Sequence, residues 1–155
     1  MVQTRLAGVG DAETIAWHRV RMFVDSGQAK SEAMARMREN FVDWVRPRLA
    51  DGRYLGWLVE DDGAVVAGAG LWVMDFPPHW MDAEPVRAYL LNFYVAPSHR
   101  GQGLAEGMLR EAVAEARRRG IGVVSLHASV MGRAIYERNG FVGTNEMILR
   151  LDGPG

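Results

Sequence analysis

Hydrophobic and polar positions alternate along the chain with a period that changes several times, and each change marks a predicted element. Apolar side chains recur every three to four positions over residues 12–24 and again over residues 31–46, which is typical of amphipathic helices. Asp11 is predicted to cap the first of these helices, and Pro47 is predicted to stop the second. A short strand over residues 2–6 is predicted to precede them.

Strand-like patterns dominate the middle of the chain. Residues 54–60 and 64–74 predict a hairpin around the tight turn "DDG", and the proline-rich segment "DFPPHWMDAEPV" that follows predicts a loop. Residues 87–95, "RAYLLNFYV", are almost continuously apolar. Such a run is typical of a central strand with both faces covered, so we expect it near the middle of a sheet.

A helix between two strands organises the last third of the chain. From Leu104 the apolar residues follow helical spacing as far as "RRRG", and the strand-like segment "VVSLHAS" at residues 123–129 comes next. This strand–helix–strand unit predicts a right-handed crossover, so residues 87–95 and 123–129 should lie parallel. A short helix at "GRAIYERNG" and a last strand or hairpin at "FVGTNEMILRL" complete a mixed α/β sheet of six or seven strands. One domain over residues 1–155 is expected.

Composition narrows the possible chemistry without identifying it. The chain has 155 residues, a net charge of −1 and no cysteine. The charge balance gives no overall field for nucleic acid or an acidic membrane, and the lack of cysteine excludes disulfides, thiolate zinc sites and a cysteine nucleophile. No apolar run reaches the roughly 18–20 residues that cross a bilayer, and a signal pattern is missing. We therefore expect a cytoplasmic protein with no metal, no nucleic-acid partner and no membrane contact.

The segment "SHRGQGLAEGML" places three glycines where a helix is predicted to begin. A glycine inside a helix costs about 0.5–1 kcal/mol relative to alanine, so each one requires a reason. Gly101 and Gly103 follow a strand and precede a helix, where an anion can approach free backbone N–H groups and the helix dipole, with Arg100 beside it. Gly107 lies one turn further on and is expected to permit close packing of the helix on the sheet.

Three classes of phosphate ligand use a turn of this kind, and the spacing removes two of them. A P-loop needs a lysine after its glycines, and none follows here. A dinucleotide-binding turn needs a third glycine at the position that Glu106 occupies. It also needs an acidic residue at the end of the next strand, and that strand ends in "LHAS", which contains none. The remaining class is a pyrophosphate-bearing carrier such as coenzyme A.

Residues 100–105, "RGQGLA", match the [QR]-x-x-G-x-[GA] signature of the GNAT superfamily of acetyl-CoA-dependent N-acetyltransferases. The longer stretch "LLNFYVAPSHRGQGLAEGML" resembles the family's fourth strand and third helix. Downstream, "SVMGRAIYERNGF" is similar to its N-x-x-A-x-x-L-Y-E-K-x-G-F element. Two positions depart from the pattern, because Ser129 stands where many members have asparagine and Gly132 where many have alanine. The resemblance extends over about residues 65–141.

The resemblance implies a fold and a reaction. The fold is a GNAT-like, mixed but mostly antiparallel sheet of six to seven strands, flanked by about four helices, with a V-shaped split between the fourth and fifth strands. The reaction is the transfer of an acetyl group from acetyl-CoA to an amine, by direct attack through a tetrahedral intermediate. Coenzyme A therefore enters as a co-substrate, and no metal is required.

The same resemblance suggests roles for individual residues. Tyr136 is the candidate acid that protonates the departing thiolate. His127 is the candidate base, because imidazole titrates near neutrality and this residue ends the strand beside the split. The residues expected to contact coenzyme A are Phe93, Tyr94, Val95, Arg100, Gly101, Gln102, Gly103, Leu104, Ala105, Ser129 and Arg133. Other candidate bases lie in the proline-rich loop, at Asp75, His79, Asp82 and Glu84.

The acceptor is left open by the sequence. A small amine, either amino-acid-like or polyamine- or drug-like, is the leading hypothesis, and a peptide N-terminus or a lysine side chain is the alternative. A longer acyl donor, or a catalytically silent acyl-CoA-binding module on the same fold, is also compatible with these motifs. A homodimer is expected by family analogy and from exposed strand edges.

Overall fold

The structure is a computed structural model that describes residues 1–151, so residues 152–155 of the predicted domain lie outside the described residues. Five strands are present: β1 (Val2–Leu6), β2 (Tyr54–Asp61), β3 (Ala64–Asp75), β4 (Val86–Val95) and β5 (Val124–Leu126). Four α-helices accompany them: α1 (Ala12–Asp25), α2 (Glu32–Asp51), α3 (Leu104–Arg118) and α4 (Arg133–Arg138). None of the helices within this range combines the length and apolar character needed to cross a bilayer.

The strands form one sheet in the order β1-β2-β3-β4-β5, and every neighbouring pair is antiparallel except β4 and β5. The parallel pair confirms the predicted crossover through α3. Only residues 88–90 of β4 pair with β5, so residues 91–95 continue beyond the last paired position. This divergence is the V-shaped split expected between the fourth and fifth strands.

The predicted strand count is too high for the described residues. The segment at residues 141–151, "FVGTNEMILRL", forms no strand, and β5 covers three of the seven residues predicted for it. Apolar residues predict a strand only where a sheet edge is available to pair with it. Within residues 1–151 this segment pairs with no strand, although the outer edge of β5 is open, and its large apolar side chains are exposed: Val142, Met147, Ile148, Leu149 and Leu151.

Helix α2 passes through Pro47 instead of stopping there, which corrects the predicted end. Ser31 caps its start, accepting a hydrogen bond from the Met34 amide at 3.2 Å. Proline removes the backbone N–H that would bond the Asp43 carbonyl. One position further on, the Arg48 side chain donates to the Trp44 carbonyl at 2.7 Å and lies over the Trp44 ring. The helix nevertheless continues to Asp51, and Gly52, with a φ of +82°, ends it.

Asp11 precedes α1 as predicted but does not cap it with its side chain. The carboxylate instead accepts the Gly8 amide at 2.7 Å and forms an ion pair with Arg5 at 2.9 Å. The Arg5 guanidinium is the largest cause that lowers the pKa of Asp11. Asp11 thus links the end of β1 to the start of α1, and the predicted cap is wrong.

Two apolar clusters lie on the two faces of the sheet. One is formed between the sheet and α3, and its fully buried members include Leu71, Leu90, Met108, Leu109 and Ala112. The other is formed between the sheet and helices α1 and α2, and includes Ile15, Phe41, Val45 and Tyr54. Residues of β4 contribute to both faces, which places this strand at the centre of the molecule as its apolar pattern predicted.

The second cluster depends on a glycine in β3. A Cβ atom added to Gly70 would overlap the buried Tyr54 hydroxyl, whereas one added to Gly107 on α3 would meet nothing within 4 Å. Gly107 is exposed, so the packing role predicted for it is wrong. Glycine is required on β3 because of the close approach, and α3 merely tolerates it.

Replacing these two glycines should change stability in opposite directions. Gly70→Ala is expected to lower the free energy of unfolding by about 1–3 kcal/mol, because the tyrosine must move. Gly107→Ala is the matched control and is expected to raise it by about 0.5–1 kcal/mol. Urea unfolding of both variants measures the two values, and a Gly70→Ala protein as stable as wild type would contradict the close approach.

His18 predicts a loss of stability in mild acid. It is 2% exposed and stacks on Tyr94 with a centroid separation of 5.0 Å, and burial lowers its pKa to about 4. In the unfolded chain its pKa is about 6.5, so between these values the unfolded state binds a proton that the folded state does not. Stability should therefore fall by about 1 kcal/mol between pH 7 and pH 5.5.

Urea unfolding across this pH range tests the effect. His18→Phe keeps a stacked ring without a titratable nitrogen. Its free energy of unfolding should therefore fall less than that of wild type between pH 7 and pH 5.5, by about 1 kcal/mol. An equal pH dependence in the two proteins would show that His18 is not the cause.

Candidate active site

A cleft of about 120 Å³ opens where β4 and β5 separate. Its walls come from the end of β4, the start of α3 and helix α4, and the lining residues are Phe93, Tyr94, Val95, Ala105, Ser129, Gly132, Ile135 and Tyr136. Six of these eight were predicted as site residues. Gly132 and Ile135 were not predicted. Helical spacing could have identified Gly132, because it lies four positions before Tyr136 and therefore on the same face of the helix.

A β-bulge in β4 lies at the mouth of this cleft. Gly68 pairs with Tyr94 and Gly70 pairs with Leu91, so two residues of β4 stand opposite one residue of β3. The extra residue is Asn92, whose φ of +61° is in the left-handed region. A bulge bends its strand and increases the local twist, which gives a physical reason for the divergence of β4 from β5 just beyond it.

The bulge is held by a buried polar network of the side chains of Asn92, Arg19 and Tyr54. Asn92 is 2% exposed, and its amide nitrogen donates to the Tyr54 hydroxyl at 3.0 Å. Its amide oxygen accepts from the Arg19 guanidinium at 2.9 Å. Burial is the largest cause that raises the pKa of Tyr54, so this hydroxyl stays protonated. The three residues come from β4, β2 and α1, and no spacing in the sequence joins them.

The glycine-rich turn has the backbone that an anion site needs. Gly101 and Gly103 have φ values of +76° and +78°, and Gly103 directly precedes α3. No side chain caps the first turn of this helix in the described chain, so Leu104 and Ala105 begin it with amides free for a ligand. Gln102 is exposed between the two glycines. The turn adjoins the cleft through Ala105, which lines both.

Arg100 is engaged by protein partners in this structure. Its Nε donates to the Val95 carbonyl and its guanidinium forms an ion pair with Asp25, both at 2.9 Å. The side chain therefore connects the end of β4 to the end of α1. Its predicted contact to coenzyme A would add a third acceptor to the same guanidinium, and this role stays a prediction.

Tyr136 lines the cleft from helix α4. Its ring meets Phe93 and Phe141 edge-on, with centroid separations of 6.1 Å and 5.8 Å. Burial raises the pKa of its phenol, so the hydroxyl stays protonated at neutral pH. A protonated phenol in a cleft beside the end of β4 has the chemistry that a proton donor requires.

His127 lies outside the cleft. It follows the end of β5 and is exposed, so its predicted place in a buried strand is wrong. Its Nδ1 is hydrogen bonded to the Tyr89 hydroxyl, and its Nε2 lies 3.5 Å from a carboxylate oxygen of Glu146. Its role as a base stays a prediction, now with two partners that the sequence did not suggest.

The remaining predicted residues have local structural contacts. Ser129 accepts the Gly132 amide at 3.1 Å and so organises the turn before α4. Arg133 is exposed and forms an ion pair with Glu137 at 3.3 Å. In the proline-rich loop, Asp82 accepts backbone amides from Glu84 and Gly122 and thereby orders that loop.

The chain matches a known family over most of its length. The model of the acetyltransferase (GNAT) family matches residues 13–141. The chain belongs to the GNAT family. The resemblance inferred from "RGQGLA" and "IYERNGF" is thereby confirmed, and the protein is an N-acetyltransferase. GNAT enzymes use acetyl-CoA as the donor, and the glycine turn, the cleft and Tyr136 are compatible with it.

Two solved structures are similar over nearly the whole chain. A GCN5-related N-acetyltransferase from Ralstonia eutropha JMP134 is 40% identical, with a TM-score of 0.93 over 99% of this chain and 100% of its own. A predicted acetyltransferase from Clostridium acetobutylicum, solved with acetyl-CoA, is 30% identical, with a TM-score of 0.89 over 98% of this chain and 96% of its own. No curated protein matches.

Within residues 1–151 no group of three or more histidine, cysteine, aspartate or glutamate side chains is arranged to hold a metal ion.

Proposed function

We propose that this GNAT enzyme transfers an acetyl group from acetyl-CoA to the primary amine of a small molecule. One observation carries the proposal: the diverging end of β4, the uncapped start of α3 and the protonated Tyr136 meet at a single cleft. Each of these features alone has a structural explanation. Together they supply hydrogen-bonding groups for an extended amide chain, a site for its phosphates, and an acid.

The donor would lie along the split. Backbone groups of Phe93, Tyr94 and Val95 lie beyond the last β5 pairing and would hydrogen bond the two amides of a pantetheine arm, with the Val95 carbonyl shared with Arg100. The pyrophosphate would then reach the amides of residues 101–105, where the positive end of α3 favours negative charge. This arrangement directs the thioester toward the bulge at Asn92.

The protein's part in the reaction is positioning and proton transfer. The neutral amine forms a bond to the thioester carbon, and a backbone N–H near the bulge would stabilise the oxyanion that forms. When the carbon–sulfur bond breaks, Tyr136 donates its proton to the leaving thiolate. The ammonium proton must leave from the other side, where His127 and Tyr89 remain the proposed route.

The acceptor is proposed to approach from the face of the sheet covered by α1 and α2. Phe93 faces α4, as its contact with Tyr136 shows, whereas Asn92 and Tyr94 face α1 through Arg19 and His18. The split joins these two faces. Aromatic residues on the α1 and α2 side, including Trp44, Trp72 and Tyr89, form a chain of edge-on contacts that suits a compact acceptor.

An acetyl-transfer screen tests the proposal. Purified protein is incubated with acetyl-CoA and single amines, comprising amino acids, polyamines, aminoglycosides and lysine-containing peptides, and thiol release and product mass are measured. Turnover of one or more small amines is the expected result. Turnover of peptides alone would overturn the acceptor class, and thermal stabilisation by acetyl-CoA without any turnover would show a binding module instead of an enzyme.

A further inference from the structure

Arg19 is a partly buried cation without a carboxylate partner among residues 1–151. Its one side-chain hydrogen bond goes to Asn92, and its guanidinium lies 5.1 Å and 5.3 Å from the ring centroids of Phe23 and Phe41. By contrast, Arg21 on the same helix pairs with Asp25 at 3.1 Å. Arg19 therefore places a positive charge, unpaired with any carboxylate among the described residues, on the face proposed for the acceptor.

The chemistry of this group points to an anionic ligand. A guanidinium carries five N–H donors in a planar fork that matches a carboxylate, and the described side chains use one of them. Burial lowers the pKa of Arg19, which reports the cost of holding this charge away from water. A ligand carboxylate would offset that cost and use the free donors.

The contacts of Arg19 place that ligand near the split. The Asn92 side chain that accepts from Arg19 also donates to the Tyr54 hydroxyl. Asn92 connects Arg19 to the bulge at the mouth of the split. A carboxylate held by Arg19 would thus leave the rest of a short molecule beside β4, where the proposed thioester lies.

We propose that Arg19 binds the carboxylate of the acceptor, which makes the acceptor an amine that also carries a carboxylate group. This inference rests on the proposed function and narrows its substrate class. Arg19 is then a specificity-determining residue, in addition to its structural hydrogen bond to the bulge.

Matched ligand pairs test the inference by binding and by turnover. The turnover probes are γ-aminobutyrate and n-butylamine, and phenylalanine and phenylalaninamide. The binding probes are the acetylated products of these amines, added to the protein saturated with coenzyme A and measured by calorimetry. The carboxylate member of at least one pair is expected to be preferred by at least about tenfold.

Three variants separate recognition from folding. Arg19→Gln should abolish the preference, Arg19→Lys should retain part of it because the charge remains, and Arg21→Gln should leave it unchanged. Equal binding of both members of every pair by wild type would overturn the inference, as would a preference that survives Arg19→Gln. Absence of turnover would count against the proposed function. It would not affect the test of Arg19, because the binding of the acetylated products is measured directly.

Discussion

Tyr136→Phe is expected to lower kcat by about 100-fold or more while leaving acetyl-CoA binding nearly unchanged. The substitution removes the only atom that can donate a proton from this side chain, and positioned proton transfer contributes about 10²–10⁴-fold. The ring would still meet Phe93 and Phe141, so the wall of the cleft should keep its shape. Steady-state kinetics with the best acceptor from the screen measures the effect.

The pH profile distinguishes an acid from a packing residue. Because burial raises the pKa of Tyr136, wild-type kcat should decline only at strongly alkaline pH, where the phenol loses its proton. Tyr136→Phe should lack that decline. Equal kcat values for the two proteins, or the same alkaline limb in both, would show that Tyr136 only packs against the sheet.

Asn92→Leu is expected to produce the largest loss of stability, about 3–5 kcal/mol. It removes the partners of the Tyr54 hydroxyl and of Arg19, and a buried polar group left unpaired costs about 1–3 kcal/mol. Leucine must also adopt the φ of +61° that Asn92 has in the bulge, which costs roughly 1–2 kcal/mol more. Urea unfolding of the two proteins at neutral pH measures the difference.

Asn92→Gly is the matched control for the backbone. It loses the same two hydrogen bonds but adopts a positive φ without strain, so it should be more stable than Asn92→Leu by about 1 kcal/mol. If both variants were as stable as wild type, the network would not be what holds the bulge. If they were equally destabilised, the strain at φ would contribute nothing.

Features set by local chemistry were predictable from the sequence. The positive φ values of Gly101 and Gly103 and the start of α3 at Leu104 follow from residues that are neighbours in the chain. The parallel pairing of β4 and β5 follows from the handedness of a strand–helix–strand unit. These elements carry the donor half of the site, which is why the family resemblance was visible there.

Features set by distant partners were not predictable. The bulge requires Asn92 to meet Arg19 and Tyr54, which are 73 and 38 positions away, and nothing in the local pattern marks that meeting. The strand predicted at residues 141–151 requires pairing with a distant sheet edge, and among the described residues that pairing does not form. The burial predicted for His127 depended on where β5 ends. A strand ends where its pairing with the neighbouring strand ends, and the local sequence does not determine that position.

Calorimetric titration of acetyl-CoA tests most directly whether the cleft and the glycine turn form the donor site. Wild type should bind one acetyl-CoA per chain with saturation. Gly103→Val places a β-branched residue at a φ of +78° before α3, which should distort the turn and weaken binding by at least about tenfold. Gly107→Ala, outside the turn, should bind like wild type. Absence of binding by wild type, or equal affinity in wild type and a folded Gly103→Val protein, would contradict the assignment of this turn to the pyrophosphate.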